Sequence, residues 1–443
     1  MPKRSSKRIA ALKVYLVRVA SMIGGLLVVL LAAQPALAAN PSTAQKQDAE
    51  RRYLLEPGVF VYGTSYVAPL AELFGEIYIG DNNFVAANSI LRAAPTRQIV
   101  IGSGSNIQDN VLVRALEDSI TIGSDTSLTH HAIVRNSQIG SRVYVGYRAS
   151  VADSRVGDGA VIWHGAIVEG VNIPGNAFVA AGRVVTSQAQ ADALPKAAES
   201  EQAFARQQIQ DTQGFTRGYI NLYKSAGYEA IIGIGPNPKT SILPQSVMPR
   251  VAETAEMEEF VRIVGDVRVG GNSTIGQRTT MRADEGSPII VGADADIDDR
   301  VTIHGLEDTA VRIGEHVTVD DDALIHGPAD IGDNVTVGER SVVFNATVED
   351  NVIIGQNAII TPPPGQDSPI VIPANSVVPE DAVITGPNDL GKLRQGGGTG
   401  NNGEDQDDVP GELPETGAGG LAMGRAATAG AAAAYTADSA KRR

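Results

Sequence analysis

The chain has no cysteine among its 443 residues, which excludes disulfide staples, thiolate metal ligands and thiol nucleophiles. Positive charge is also in deficit: 36 Lys and Arg face 51 Asp and Glu, and the formal net charge of -15 argues against nucleic acid as a partner. Histidine is scarce, six in all, so an imidazole-based metal site must be drawn from His130, His131, His164, His304, His316 and His326. Long apolar runs are nearly absent. The clearest, from Ile23 to Ala33, is short for a membrane span. It follows Lys3, Arg4, Lys7, Arg8, Lys13 and Arg18 and precedes Ala36-Leu37-Ala38, the small-x-small pattern of a signal-peptidase site. Residues 1–39 therefore read as a signal peptide, with an uncleaved anchor as the alternative; either way the remainder is expected outside the cytoplasm, with the mature chain beginning near Ala39 or Asn40.

What the chain does have is a short period. Branched apolar residues recur at Ile122, Leu128, Val134, Ile139, Val145, Val151, Val156, Ile162 and Val168, in steps of six with an occasional five. They recur again at Ile313, Val319, Ile325, Ile331, Val337, Val343, Val348 and Ile354. A period of six fits neither an amphipathic helix nor an alternating strand. It fits a parallel β-helix in which each unit forms one side of a triangular coil and three units make a turn of 17 or 18 residues. Stacked coils then place residues of equal phase on one face, about 4.8 Å apart.

Two such modules are expected, at 57–196 and 251–392. Between them, 197–228 reads as a helical segment with the apolar stripe Phe204, Ile209, Phe215, Tyr219 and Leu222, interrupted at Gly214 and Gly218. A linker over 229–250 carries Pro236, Pro238 and Pro244. Residues 393–443 are acidic and poor in apolar side chains, the composition of a disordered tail. They contain Leu413-Pro414-Glu415-Thr416-Gly417 before an Ala-rich stretch and Lys441-Arg442-Arg443, an order similar to a sortase sorting signal and an indication of cell-wall or membrane attachment.

Phase also singles out histidines. His304 lies 13 residues after Val291 and His326 lies 13 after Ile313, so consecutive coils stack them on one face. The first module has Arg114 and Arg135 at those positions but keeps His130 where the second has Asp321. Each copy has lost what the other retains, so a three-histidine site needs both modules and straddles an interface between two β-helices. Three neutral imidazoles leave coordination positions for water, the open arrangement of a catalytic zinc. Such an ion makes hydroxide available near neutral pH. His131, His164 and His316 have no matching role and read as solvated surface residues.

The motifs MRADEGSPIIVG, IHGLED and DDALIHGPADIG in the second module resemble those of the γ-class carbonic anhydrases. In the first module the resemblance rests on SNIQDN, RALED, SLTHHAIVRNSQIG and IPGNAFVAAGRVVTSQAQADALP, with RGYINLYKSAGY as a closing helix. It implies an all-β fold of two tandem left-handed parallel β-helices of hexapeptide repeats, trimeric β-helix packing in a homo-oligomer, and a metal site between β-helices.

The resemblance further implies that His304 and His326 are two ligands from one β-helix and His130 is the third, from its neighbour. Zinc is the expected ion, with iron or cobalt possible. Glu285 and Glu307 match acidic residues that serve proton transfer and orient solvent; we assign Glu285 as shuttle and Glu307 as the residue ordering the metal-bound solvent. Arg282 and Asp284 match an interfacial pair. Gln108 and Asn106 match polar pocket residues, replaced by Asp298 and Asp296 in the second module, and Tyr219 and Asn221 lie on the closing helix. The first module has Arg92, Ala94 and Pro95 where the second has Arg282, Asp284 and Glu285, although Glu117 stands opposite Glu307.

The implied activity is reversible hydration of CO2 to bicarbonate. Two rivals share the fold: an acyltransferase, which needs a coenzyme A-type donor, and a non-catalytic structural or assembly protein, which the losses at Arg114, Arg135 and Asp321 make serious. Two arrangements also remain open. In a mixed ring His130 meets His304 and His326 while Asp321 meets Arg114 and Arg135; in separate layers Asp321 would join His304 and His326.

Overall fold

A computed structural model describes residues 57–366 and 368–395. The expected signal segment 1–39 and the tail beyond residue 395 lie outside the described residues. The rest forms two tandem left-handed parallel β-helices joined by one long helix. The first has three parallel seven-stranded sheets, one per side of the triangle.

Apolar ladders form the core of each β-helix. Ile101 lies beside Ile122, Ile122 beside Ile139, and Ile139 beside Val156. On the other two sides Leu128 lies beside Val145 and Val134 beside Val151. All of these are buried, because the period of six returns an apolar residue to the interior on every side.

Strands stay short because the chain turns sharply after each, through residues in the left-handed region such as Asn88, Asn110, His131 and Arg148. Asn tolerates that region better than most side chains.

Coil length varies more than the period implies. Coils of 17 residues, as from Val156 to Ile173, alternate elsewhere with coils of 22, as from Val269 to Val291 and on to Ile313. The added residues leave the triangle as loops after the strands Thr280–Ala283 and Thr302–His304. Asp284, Glu285 and Glu307 sit in those loops.

The helix Glu199–Ala226 runs unbroken for 28 residues, contrary to the expected interruption at Gly214 and Gly218. Each glycine costs about 1 kcal/mol of helix propensity, which tertiary packing outweighs. Gly218 is where the linker crosses: a Cβ there would stand 3.0 Å from Pro238 Cβ and 3.2 Å from Thr240 Cγ2. Phe215, Tyr219 and Ile220 pack with Tyr66 and Phe84 of the first β-helix and Val264 of the second. The helix thus covers one side of the first module and reaches the second.

The linker contributes structure of its own, a 3-10 turn at Tyr228–Ile231 and a strand Ile234–Gly235 that pairs with the strand Arg262–Gly265. Among the described residues no helix is long and apolar enough to cross a membrane.

The two β-helices meet along a mixed apolar and polar seam. Tyr147 packs with Leu324, Val342, Phe344 and Ile359. Gly165, at φ 64°, lies so near Ile359 that a Cβ would overlap its Cδ1. Asn88 donates to Arg278 O at 2.7 Å, Asn110 to Thr302 Oγ1 at 2.9 Å, and Arg148 to Asp322 O at 3.0 Å. Glu72 pairs with Arg278 at 2.6 Å.

Candidate metal centre

Parallel register aligns Arg282, His304 and His326 on consecutive strands. Arg92, Arg114 and Arg135 are aligned in the same way in the first module. The second-module row faces His130, which precedes the left-handed corner residue His131. One nitrogen from each of His130, His304 and His326 lies within 4.8 Å of the others. His304 Nδ1 stands 3.4 Å from His130 Nε2 and 3.2 Å from His326 Nε2. The chain thus forms the expected mixed junction within itself.

His304 and His326 have their other nitrogen against a hydrogen-bond acceptor, while that of His130 faces a carboxylate without hydrogen bonding to it. His304 Nε2 is 3.1 Å from Asp284 Oδ1, His326 Nδ1 is 3.3 Å from Gly327 O, and His130 Nδ1 is 3.4 Å from Asp109 Oδ2. Acceptors on the outer nitrogens of His304 and His326 favour the tautomers whose inner nitrogens carry lone pairs, the arrangement metal-binding histidines use. Burial lowers the pKa of all three, most strongly for His130 and His326, and keeps the imidazoles neutral. Neutral, convergent, outwardly anchored imidazoles fit a divalent cation such as zinc.

Arg282 holds the junction together. Its Nη1 lies 3.0 Å from Asp109 of the first module and its Nε 3.4 Å from Asp284; the guanidinium also sits over the Phe84 ring at 5.6 Å. Burial alone would raise Asp284, but Arg282, His304 and the 2.5 Å hydrogen bond from Tyr219 overcome it and hold the carboxyl well below the usual range. Burial leaves Asp109 raised despite Arg282. The expected Arg282–Asp284 pair is therefore one half of a carboxylate–guanidinium–carboxylate bridge across the seam.

Gln108 is buried and its Oε1 accepts from the His130 backbone N at 3.2 Å, which fixes the ligand-bearing corner. Asn106 is used elsewhere, donating to Thr212 Oγ1 of the helix at 2.7 Å. Asn221 is a correction: it is exposed, because it follows buried Tyr219 by two residues and about 200° of helix rotation.

The two glutamates are also placed opposite to their expected roles. Glu285 is 3% exposed with Oε2 at 3.9 Å from His304 Nε2, whereas Glu307 is exposed and its backbone N donates to Glu285 Oε1 at 3.3 Å. The buried carboxylate is the one facing the imidazoles.

Of the remaining histidines only His316 is exposed as expected. His131 is buried beside Thr302 Oγ1 at 3.0 Å, and His164 Nδ1 accepts from Tyr147 N at 2.9 Å. The rings of His164, Tyr147 and His326 stack in series, at 4.1 and 4.8 Å between centroids. Tyr147 thereby walls the site with an apolar face. Nothing in the spacing marked Tyr147 or Asp109, although Asp109 lies inside the SNIQDN motif.

Asp321 is not with the histidines. It accepts from Arg300 Nη2 at 3.1 Å and from Asp299 N at 3.0 Å, while Arg135 pairs with Asp153 and Glu169 of its own module. The expected meeting of Asp321 with Arg114 and Arg135 is therefore not made by these contacts within the chain.

Asp284→Asn should weaken metal affinity roughly 10–100-fold while leaving all three ligands in place, since it replaces the charged acceptor that orients His304 with a weaker neutral amide. Competition with a chelator measures this. Unchanged affinity would leave Asp284 only the task of docking the modules.

Residues 310–345 match the family described as bacterial transferase hexapeptide (six repeats). The chain is similar to a carbonic anhydrase of Methanosarcina thermophila, 30% identical over 187 residues covering 38% of this chain and 73% of that one. It is also 30% identical over 172 residues to the carboxysome assembly protein CcmM of a Nostoc strain, covering 36% of this chain and 31% of that protein. The matched region thus spans about a third of the length of the carboxysome protein. A mitochondrial gamma carbonic anhydrase 1 of Arabidopsis thaliana is 23% identical over 212 residues, covering 42% of this chain and 75% of that one.

Proposed function

The chain belongs to the γ-class carbonic anhydrase family, and on that premise we propose that it catalyses the reversible hydration of CO2 to bicarbonate. One observation carries the reading: ligand nitrogens from both modules converge within 4.8 Å, with the second nitrogens of His304 and His326 against acceptors. His130, His304 and His326 would hold zinc, or iron or cobalt, which the same donors suit. A bound ion supplies a hydroxide nucleophile near neutral pH.

The protein groups supply the remainder. Asp284 keeps His304 in its ligand tautomer, and Arg282 holds both Asp284 and Asp109 in place. Tyr147 and Phe344, packed around His326, exclude bulk water from that side. Glu285, buried beside His304, is positioned to orient solvent and take its proton. Glu307, exposed at the mouth, is positioned to pass the proton to buffer. With residues 1–39 as an export signal, the reaction takes place outside the cytoplasm. The similarity to gamma carbonic anhydrases supports a homo-oligomer with trimeric β-helix packing as the active form.

Glu307→Ala should lower kcat in weak buffer, toward the low end of the roughly 10²–10⁴-fold contributed by positioned acids and bases, and added imidazole should restore part of it. Glu117→Ala in the first module should leave kcat unchanged. The reading itself is tested by CO2 hydration with metal-replete protein from about Asn40. Bound metal with no hydration above buffer would replace it with the non-catalytic assembly reading, which the similarity to a carboxysome assembly protein supports.

A further inference from the structure

Hydrogen bonding holds His326 less firmly than His304. His304 Nε2 meets the Asp284 carboxylate at 3.1 Å, whereas His326 Nδ1 meets only the carbonyl of the next residue, Gly327, at 3.3 Å, longer than the roughly 2.7–3.2 Å of most N–H···O bonds. One contact at the ring edge directs a single nitrogen and leaves the ring able to tilt about it. The ring face is held by aromatic side chains. Tyr147 stacks on His326 with 4.8 Å between centroids and 22° between planes, and His164 stacks on Tyr147 at 4.1 Å and 6°. A face takes one stacked ring, so Tyr147 is wedged between the two imidazoles. Phe344 meets Tyr147, His164 and His326 edge-on at 5.5, 5.4 and 5.7 Å. Stacked and edge-on contacts are the geometries that aromatic pairs prefer.

His164 is fully buried and lies outside the metal cluster. It fixes Tyr147 twice, by the stack and through Nδ1, which accepts from Tyr147 N at 2.9 Å. The approach is tight, since a Cβ on Gly146 would stand 2.8 Å from His164 Nδ1. Trp163 backs the ring from a centroid distance of 4.2 Å. His164 Nε2 is buried without a hydrogen-bond partner among the described residues, which carries a desolvation cost. What the site gains from His164 is therefore its ring and its Nδ1, both spent on Tyr147. We propose that Tyr147, backed by His164, is a positioning residue whose ring face sets the plane of His326, aiming Nε2 at the ion shared with His130 and His304. This rests on the carbonic anhydrase reading. Tyr147 belongs to the first module and packs there against Leu324, Val342, Phe344 and Ile359 of the second, so His326 gains its orientation only where the modules dock.

The test compares wild type, Tyr147→Phe, Tyr147→Leu and His164→Leu as full-length protein titrated with cobalt(II), an ion these donors suit and one whose visible absorption reports the arrangement of its ligands. Tyr147→Leu should weaken cobalt binding about tenfold, the low end of what residues supporting a ligand contribute, and should alter the visible spectrum because His326 tilts. Tyr147→Phe keeps the ring and should match wild type in both readouts. His164→Leu should weaken binding by a smaller factor, since Tyr147 loses its backing but keeps its own face on His326.

Thermal melting of the metal-free proteins shows which variants are folded. If Tyr147→Leu is not, Tyr147→Met takes its place with the same expectations, because a flexible thioether fills an irregular gap without supplying a ring face. Unchanged cobalt affinity and spectrum in the folded aliphatic variant would overturn the proposal and leave Tyr147 a packing residue. A Phe variant that loses as much affinity as the Leu variant would overturn it as well, since the hydroxyl would then be the group at work. A wild type that binds cobalt and hydrates no CO2 defeats the carbonic anhydrase reading and leaves the positioning of His326 standing; a wild type that binds no cobalt overturns both.

Discussion

His130→Ala is expected to abolish stoichiometric metal binding even though His304 and His326, in the other β-helix, remain untouched. Removing one of three imidazoles leaves two protein ligands. The loss should exceed the roughly 10–100-fold cost of disturbing a residue that only supports a ligand. Hydration should fall with it. The variant is expected to stay folded, because the His130 ring lies in the seam against Tyr147, His304 and His326, outside the apolar ladders, and its backbone stays tied to Gln108. Metal analysis after dialysis, with circular dichroism as the control, decides the matter. Full metal content would refute the shared site and favour layers in which Asp321 completes a set with His304 and His326. That alternative faces a structural obstacle, since Asp321 is engaged by Arg300 at 3.1 Å.

Arg282→Ala should have the largest effect on stability. It leaves Asp109 and Asp284, both fully buried, without the guanidinium between them. Removing one partner of a buried ion pair costs about 3–5 kcal/mol. The penalty should be greatest near neutral pH. In wild type the pKa of Asp284 is held below its ordinary 3.8, so its pairing stabilises the fold above 3.8 and is lost only as pH falls through the depressed value. In the variant both carboxyls would instead favour protonation, and the gap between the proteins should narrow as pH falls. Denaturant unfolding at several pH values measures this; equal stability of the two proteins at pH 7 would mean the bridge contributes nothing to joining the modules. Arg282→Ala combined with Asp109→Asn and Asp284→Asn should recover part of the loss, because no buried charge is then left unpaired.

Much of the fold was legible because a β-helix is nearly one-dimensional. A period of six dictates which side chains point inward, and equal phase on successive coils dictates which stand side by side. Ile122 beside Ile139 and His304 beside His326 are the same inference applied to different residues. The reciprocal exchange of His130 with Asp321, and of His304 and His326 with Arg114 and Arg135, was enough to infer that the site spans two modules.

The sequence alone therefore determined the parallel β-helices, the stacked pair of histidines and the need for a third from the other module, since these follow from periodicity along one axis. It did not determine how side chains from different axes meet. Asp109 and Tyr147 join the site from other phases of the repeat, Tyr219 reaches Asp284 from the closing helix, and Asn221 leaves the site because two residues of helix turn it away from Tyr219. The depths of Glu285 and Glu307 were likewise decided in three dimensions, one loop folding beneath the other. Contacts between β-helices depend on the rotation and shift of two separate axes, which a repeat period does not encode, so only the tertiary structure decided them.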